Sequence, residues 1–357
     1  MALFADLSGL KILFVAFSNN LIGAGHLNRC LNIADTAMEF GAEIEFLLFG
    51  DEAAKSRLTE TNILFRYYDS AKIFDLKMAS FRINRPDIII CDVINWHFFE
   101  CANLKSWFEQ LRHIGGTCVL IDSLGKNSFA DRCGNLQLDV VVCPYVSNQA
   151  DLKLEQGLYL SGEKYALLKR SFSNLKERIY RPNADRVLIT CGGSDPHGHT
   201  LHAVKALDSI SVHLQVKVVL GPLINVALAH SVRDACNASH HNYEVVVSPP
   251  DLLEYMRWCD VAIATSGLTK YELAASGTPA IIFSIDNEHH EANRAFSSRL
   301  TAIDLGVGVV AERLSNCLAG LLHDVSARER MGKNATQLID GEGCAHLLCK
   351  LKDEIKC

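Results

Sequence analysis

The chain has 357 residues, 49% of them apolar and 21% charged. That is ordinary globular usage, which excludes a disordered, collagen-like or low-complexity chain and is enough for about two domains. Lys plus Arg number 35 against 41 Asp plus Glu, for a net charge of −6, so no overall positive field exists to gather nucleic acid or anionic lipid. The start, Met-Ala-Leu-Phe-Ala-Asp, lacks the basic residues of a secretory signal, and no apolar run reaches the ~18 residues of a membrane span. A cytoplasmic protein with no integral membrane segment is expected. The 13 cysteines fall one at a time, with no Cys-x-x-Cys pair, which predicts reduced, buried thiols rather than disulfides or a zinc site.

Short apolar runs alternate with stretches of helical period, the pattern of parallel strands covered by helices, so the fold class is α/β. The first strand is expected at residues 11–17. Leu27, Leu31, Ala34 and Met38 then recur at helical spacing before Gly41, predicting a helix over 26–40. Further strands are expected at 44–49, 63–67, 87–91, 117–121 and 139–143, nearly all apolar throughout, as strands buried on both faces should be. The basic stretch 164–182, closed by Pro182, reads as an interdomain connection. A second series follows, with strands at 186–191, 214–220, 244–247, 261–264 and 280–283. A helix start lies behind Pro249-Pro250, and the chain reads as helix from about Ala327 on. Both halves open alike, with a strand, a glycine-containing loop and a helix. Two Rossmann-type lobes with mainly parallel sheets are therefore predicted around an interdomain cleft, over residues 1–178 and 179–340. A terminal helix at 341–357 is expected to cross back onto the first lobe.

Four loops could carry chemistry, because open α/β sheets bind ligands beyond the carboxyl ends of their strands, where helix N-termini offer unpaired N–H groups to anions. The first, residues 21–29, contains Gly23, Gly25, His26 and Arg29. It is not a dinucleotide fingerprint, since Asn28 stands at the place of the last glycine. Instead it places an imidazole suited to proton transfer near neutrality at a helix start; the alternative is that His26 only caps or packs. In the second, Gly192-Gly193-Ser194-Asp195-Pro196, the glycines let backbone amides approach a phosphate. Asp195 as an N-cap with Pro196 at the first helical position explains the same residues. The third holds Thr265, Ser266 and Gly267 as diphosphate donors and Glu272 for ribose hydroxyls, unless Glu272 is simply a surface helix residue. The fourth offers Asn287, Glu288 and Glu291 for sugar hydroxyls or amides, or else a solvated helix start. His197, His199 and His202 lack a carboxylate or cysteine at ligand spacing, so no metal site is expected.

Taken together and in order, Gly23-x-Gly25-His26-x-x-Arg29-Cys30, Leu160-x-Gly162-x-x-Tyr165-x-x-Leu168 with Phe172, Gly192-Gly193-Ser194-Asp195-Pro196, and Tyr271-Glu272-Leu273-Ala274 with Gly277-x-Pro279 resemble a known family. They look like the UDP-sugar hydrolases of the pseudaminic acid pathway, which release UDP from UDP-2,4-diacetamido-2,4,6-trideoxy-β-L-altropyranose. The spore-coat polysaccharide proteins are close relatives of that family. More distantly, the chain is similar to the GT-B enzyme that adds N-acetylglucosamine in peptidoglycan synthesis. The resemblance implies a GT-B-like fold and C–O cleavage at the anomeric carbon with inversion, without metal or other cofactor. It gives His26 the role of base on water, with Gly25 and Arg29 beside it. Gly192, Gly193, Ser194, Ser266 and Gly267 match positions around the diphosphate, Glu272 the ribose contact, and Asn287 and Glu288 a pair near sugar and phosphates. Two departures stand out. Val15-Ala16-Phe17-Ser18 replaces an Arg-x-Asp-x-Ser run, removing an acidic group from the reacting centre, and Glu288 replaces Gln. The alternative readings are a GT-B glycosyltransferase with a non-water acceptor, a hydrolysing UDP-sugar epimerase, and a non-catalytic nucleotide-sugar-binding protein.

Overall fold

In the computed structural model, residues 5–19, 25–69, 85–92, 101–123, 128, 138–147 and 157–355 are described. The chain divides into two compact units, one of Met1–Arg170 with Glu342–Cys357, the other of Ser171–Gly341. The passage between them falls inside the basic stretch 164–182, eight residues before the expected boundary.

The first unit contains β1 (Lys11–Ser18), α1 (Gly25–Glu39), β2 (Glu43–Gly50), α2 (Glu52–Thr59), β3 (Leu64–Asp69), β4 (Ile88–Asp92), α3 (Cys101–Ile114), β5 (Thr117–Ile121), β6 (Val140–Cys143) and β7 (Leu158–Ser161). Its seven strands lie in the order β3-β2-β1-β4-β5-β6-β7, every pair parallel. The order reverses between β1 and β4, and there Ala16 stands opposite Asp92. Ile12, Phe14 and Ala16 face one apolar core while Leu13, Val15 and Phe17 face the other, which is why the run carries no polar alternation.

The second unit contains β8 (Arg186–Thr190), α4 (His199–Leu207), β9 (Gln215–Leu220), α5 (Val226–Ala238), β10 (Asn242–Val247), α6 (Leu253–Trp258), β11 (Val261–Thr265), α7 (Leu268–Ala275), β12 (Ala280–Ser284), α8 (Asn287–Ser297), β13 (Ile303–Val307), α9 (Ala311–His323) and α10 (Val325–Leu338). Its sheet is also parallel, in the order β10-β9-β8-β11-β12-β13, and reverses between β8 and β11. Arg178 of the connecting stretch is anchored, whereas Lys164 and Lys176 are exposed. Arg178 donates to the carbonyls of Met256 and Cys259 and to Thr278 Oγ1. Fully buried Arg328 of α10 donates to the carbonyls of Leu321 and Leu322 at the end of α9, where a cation suits the negative end of the helix.

The terminal helix α11 (Gly343–Ile355) belongs to the first unit. Leu347, Leu348 and Leu351 share a core with Leu27, Leu31 and Ala34 of α1. Each side chain of that size stabilises the fold by about 1.5–3 kcal/mol when fully buried. The ten cysteines among the described residues with placed side chains are free thiols, eight of them buried. No described helix is long and apolar enough to cross a membrane.

Candidate active site

The order reversal in each sheet marks the place where an open α/β fold leaves a crevice outside its strand ends. In the first unit that place is filled by side chains of α1 and β4. Residues 21–24 of the first glycine loop lie outside the described residues; α1 starts at Gly25, which is exposed, with His26 second. Arg29 follows one turn later on the same face.

Both reach Asp92, the last residue of β4 and fully buried. Arg29 donates to both carboxylate oxygens, from Nε to Oδ2 at 2.8 Å and from Nη2 to Oδ1 at 2.9 Å, the side-on fork that suits a planar guanidinium. Its Nη1 donates to Tyr145 Oη at 2.9 Å. His26 Nδ1 lies 2.6 Å from Asp92 Oδ1. A carboxylate can only accept, so the proton of this short contact is assigned to Nδ1. The 2.9 Å approach of Arg29 Nη2 to the same nitrogen then reflects two donors sharing one oxygen. Nε2 is left as the imidazole's acceptor.

The electrostatics fit. Burial pushes the Asp92 carboxyl upward, but the charge of Arg29 and the contact with His26 outweigh it and hold the group below its usual range. Burial also works against the Arg29 cation, and Asp92 and Tyr145 more than compensate, so it stays charged. Tyr145 is pushed up to about 12 by burial, with Arg29 opposing, so it remains a phenol at neutral pH.

In the second unit the glycine turn after β8 is fixed by its neighbours. Gly192 has φ +83°, a conformation that favours glycine. At Gly221, after β9, a Cβ would stand 2.3 Å from the carbonyl oxygens of Gly192 and Gly193, so only a glycine allows this approach. Gly193 and Ser194 are exposed. Asp195 accepts from the backbone N–H of His199 and of Thr200, 2.8 Å each. The expected N-cap at Asp195 with Pro196 first in the helix is not what forms: Gly198 holds the N-cap and α4 begins at His199, and the Asp195 carboxylate reaches the first two helix N–H groups from further back in the turn. His199 is 8% exposed, packs edge-on against Phe283, and has no hydrogen-bond partner on either ring nitrogen.

The helices that follow the three central strands β8, β11 and β12 differ in one respect. α4 is capped by Asp195, and α8 by Asp286, whose Oδ1 accepts from His289 N at 2.8 Å. At α7, Gly267 occupies the N-cap with φ +119°, and among the described residues no side chain accepts from the N–H groups of the first turn. Ser266 donates its N–H to Phe283 O at 3.0 Å, while its Oγ is buried with no partner. Of these three starts, it is α7 whose first N–H groups are left for an anion. Glu272 lies in the next turn of α7, partly buried. Asn287 is exposed at the start of α8, beside the Asp286 carboxylate; the side chain of Glu288 lies outside the described residues. Among the described residues no group of three or more His, Cys, Asp or Glu side chains is placed to hold a metal ion.

Asp92 and Tyr145 were not singled out from the sequence. The signal for Asp92 was present, as an acidic residue directly after the apolar run 87–91.

No family model matches the chain. Over 286 residues it is 22% identical to an uncharacterized protein of Methanocaldococcus jannaschii, covering 76% of this chain and 55% of that protein. Over 198 residues it is 25% identical to the spore coat polysaccharide biosynthesis protein SpsG of Bacillus subtilis, covering 54% and 57%. The chain thus spans little more than half the length of the curated relatives it matches. Among solved structures it is similar to MurG of Acinetobacter baumannii, with a TM-score of 0.66 at 15% identity over 96% of this chain and 99% of that one. It is also similar to the spinosyn rhamnosyltransferase SpnG complexed with thymidine diphosphate, with a TM-score of 0.62 at 14% identity over 96% and 100%. Two all-parallel α/β sheets and these likenesses make the fold that of the GT-B glycosyltransferases.

Proposed function

We propose that this chain is a nucleotide-sugar enzyme of surface-polysaccharide or nonulosonic acid biosynthesis, which cleaves a UDP-activated amino sugar at its anomeric carbon with water as acceptor. The observation that carries the reading is the fixed imidazole. With Nδ1–H held by a buried carboxylate, His26 presents Nε2 as a base, the arrangement that general-base catalysis needs. In this reaction Nε2 takes a proton from water as the water oxygen bonds to the anomeric carbon. The bond from that carbon to the phosphate oxygen breaks, its electron pair leaves with UDP, and the anomeric centre inverts.

Arg29 was expected to touch substrate. Its Nε, Nη1 and Nη2 are directed to Asp92 and Tyr145, so we assign it the positioning of Asp92 and His26. In the second unit Gly192, Gly193, Ser194, Ser266 and Gly267 hold the diphosphate, and Glu272 accepts from the ribose hydroxyls. Asn287 and Glu288 face the sugar side of the ligand in this reading. Preorganised donors at departing negative charge are the most effective means of lowering such a barrier. The name of the Bacillus subtilis relative and the nucleotide bound by the rhamnosyltransferase support a nucleotide-sugar substrate. The second reading, transfer to a sugar, lipid or protein hydroxyl, is favoured by the likeness to solved glycosyltransferases.

The test is to incubate the full chain with a panel of UDP-amino sugars, with and without an acceptor extract, and follow UDP release and product stereochemistry. Release without acceptor supports hydrolysis; strict dependence on acceptor replaces it with transfer. His26→Ala should lower the rate ~10²–10⁴-fold with UDP affinity little changed, and an equally active variant removes His26 from the mechanism.

A further inference from the structure

Lys270, in the first turn of α7, is only 5% exposed. Its Nζ donates to Asn293 Oδ1 at 3.0 Å, and its charge lies over the rings of Phe296 and Tyr271, 5.0 and 5.6 Å from their centroids. Among the described residues no carboxylate lies within ion-pair distance of it. Buried charges are ordinarily paired, because an uncompensated one is costly. The location makes matters worse, since the N-terminal end of a helix carries positive partial charge and repels a cation. Asn293 donates in turn to Ser284 Oγ at 2.8 Å, at the end of β12, next to Phe283, whose carbonyl accepts the N–H of Ser266. The ammonium is thus joined through neutral groups to the end of β12, against which lie Ser266, with its unpartnered hydroxyl, and the glycine-capped start of α7.

We propose that Lys270 is a buried cation whose counter-charge is the ligand, so that binding of a nucleoside diphosphate at the start of α7 and protonation of Lys270 reinforce each other. The inference rests on the nucleotide reading above and adds to it a specific cation and a proton linkage. Other charged groups on the surrounding elements are engaged elsewhere. Asp304 of β13 attracts Lys270 but lies 3.1 Å from His290 of α8 and accepts from Gly306 N. Glu291 and Arg294 of α8 pair with each other, as do Glu329 and Lys333 of α10. Arg328 of α10 donates to backbone carbonyls. With no ligand, burial lowers Lys270 to about 8, Asp304 only partly opposing. The group therefore sits close to half-charged in mildly alkaline solution and is able to respond to a nearby anion.

Isothermal titration of the full chain with UDP at pH 8.5, in two buffers of different ionisation enthalpy, reads the protons taken up on binding. UDP itself is fully ionised there. Wild-type protein should take up about 0.5–0.8 proton per UDP, falling towards zero at pH 7. Lys270→Met, which fills the same apolar space without a charge, should abolish the uptake and weaken UDP binding about 10–100-fold. UDP binding to the wild type with no proton uptake, or unchanged affinity in Lys270→Met, overturns the proposal and leaves the nucleotide reading intact. Absence of UDP binding to the wild type defeats the nucleotide reading itself. The wild-type measurement decides the matter even where the variant fails to fold.

Discussion

The two strand-end regions handle charge in opposite ways. In the first unit a fully buried carboxylate is saturated, with Arg29 on both of its oxygens and His26 sharing one of them. In the second, among the described residues, a helix start has only glycine at its N-cap, a buried serine hydroxyl has no partner, and a buried lysine meets an amide oxygen but no carboxylate. A group that moves protons must be held in one tautomer and one orientation before substrate arrives. A site that takes up an anion must carry a deficit of negative charge until the anion fills it. The contrast supports the proposed division, with chemistry in the first region and holding in the second.

The largest effect should come from unsaturating the first region. Asp92→Asn removes the charge that anchors both partners, and turnover should fall ~10²–10⁴-fold, read as UDP release, with UDP affinity unchanged. The same variant leaves Arg29 buried without its counter-ion, which costs on the order of 3–5 kcal/mol in denaturant unfolding. Acid should act on the wild type in the same direction. The folded-state carboxyl is depressed, so its contribution is fully present above the unfolded value of ~3.9 and is lost as pH falls below it. A variant that keeps wild-type turnover would reduce the Asp92–Arg29–His26 cluster to a structural ion pair.

Much of the scaffold was legible, and for a physical reason. Strands buried on both faces write themselves as continuous apolar runs, and residues 11–17, 117–121 and 261–264 all fall inside strands β1, β5 and β11. The two strands not foreseen, β7 and β13, are sheet edges with mostly half-exposed residues, so burial leaves no such run in their sequence. The turns at 192–195 and 266–267 were readable from glycine and hydroxyl residues alone. The partnership of His26 with Asp92 was not, because the two are 66 residues apart and meet only because β4 lies directly beside β1. Lys270 reads in sequence as one more solvated helix lysine; its burial comes from the packing of α8, which no local pattern encodes.

An intermediate effect should appear in the stability of the ligand-free second region. Lys270 is lower in the folded chain than its ordinary ~10.4, so between about 8 and 10 the unfolded chain binds more protons. Stability then rises with pH across that window. Relative to wild type, Lys270→Met should be more stable below pH 8, by up to about 3 kcal/mol on the size of that depression, and the advantage should shrink towards pH 10. Thermal unfolding of both proteins across pH 7–10 measures it. A parallel pair of curves would mean that Lys270 pays no burial penalty, and the deficit assigned to this region would vanish.

The smallest effect is the most discriminating, because it has opposite signs in the two states. Ser266 Oγ is buried with no partner, and an unsatisfied hydroxyl costs roughly 1–3 kcal/mol relative to its absence. Ser266→Ala should therefore leave the ligand-free chain as stable as wild type or raise its Tm by a few degrees. On the proposed nucleotide reading the hydroxyl donates to a phosphate oxygen of the bound ligand, and its loss should weaken UDP binding about 5–10-fold, the worth of one hydrogen bond. A serine that serves the fold would show the reverse, a lower Tm and unchanged affinity. Stability and affinity move apart only where a polar group is kept for a ligand, so this pair of measurements tests whether the unpartnered Ser266 hydroxyl belongs to function or to packing.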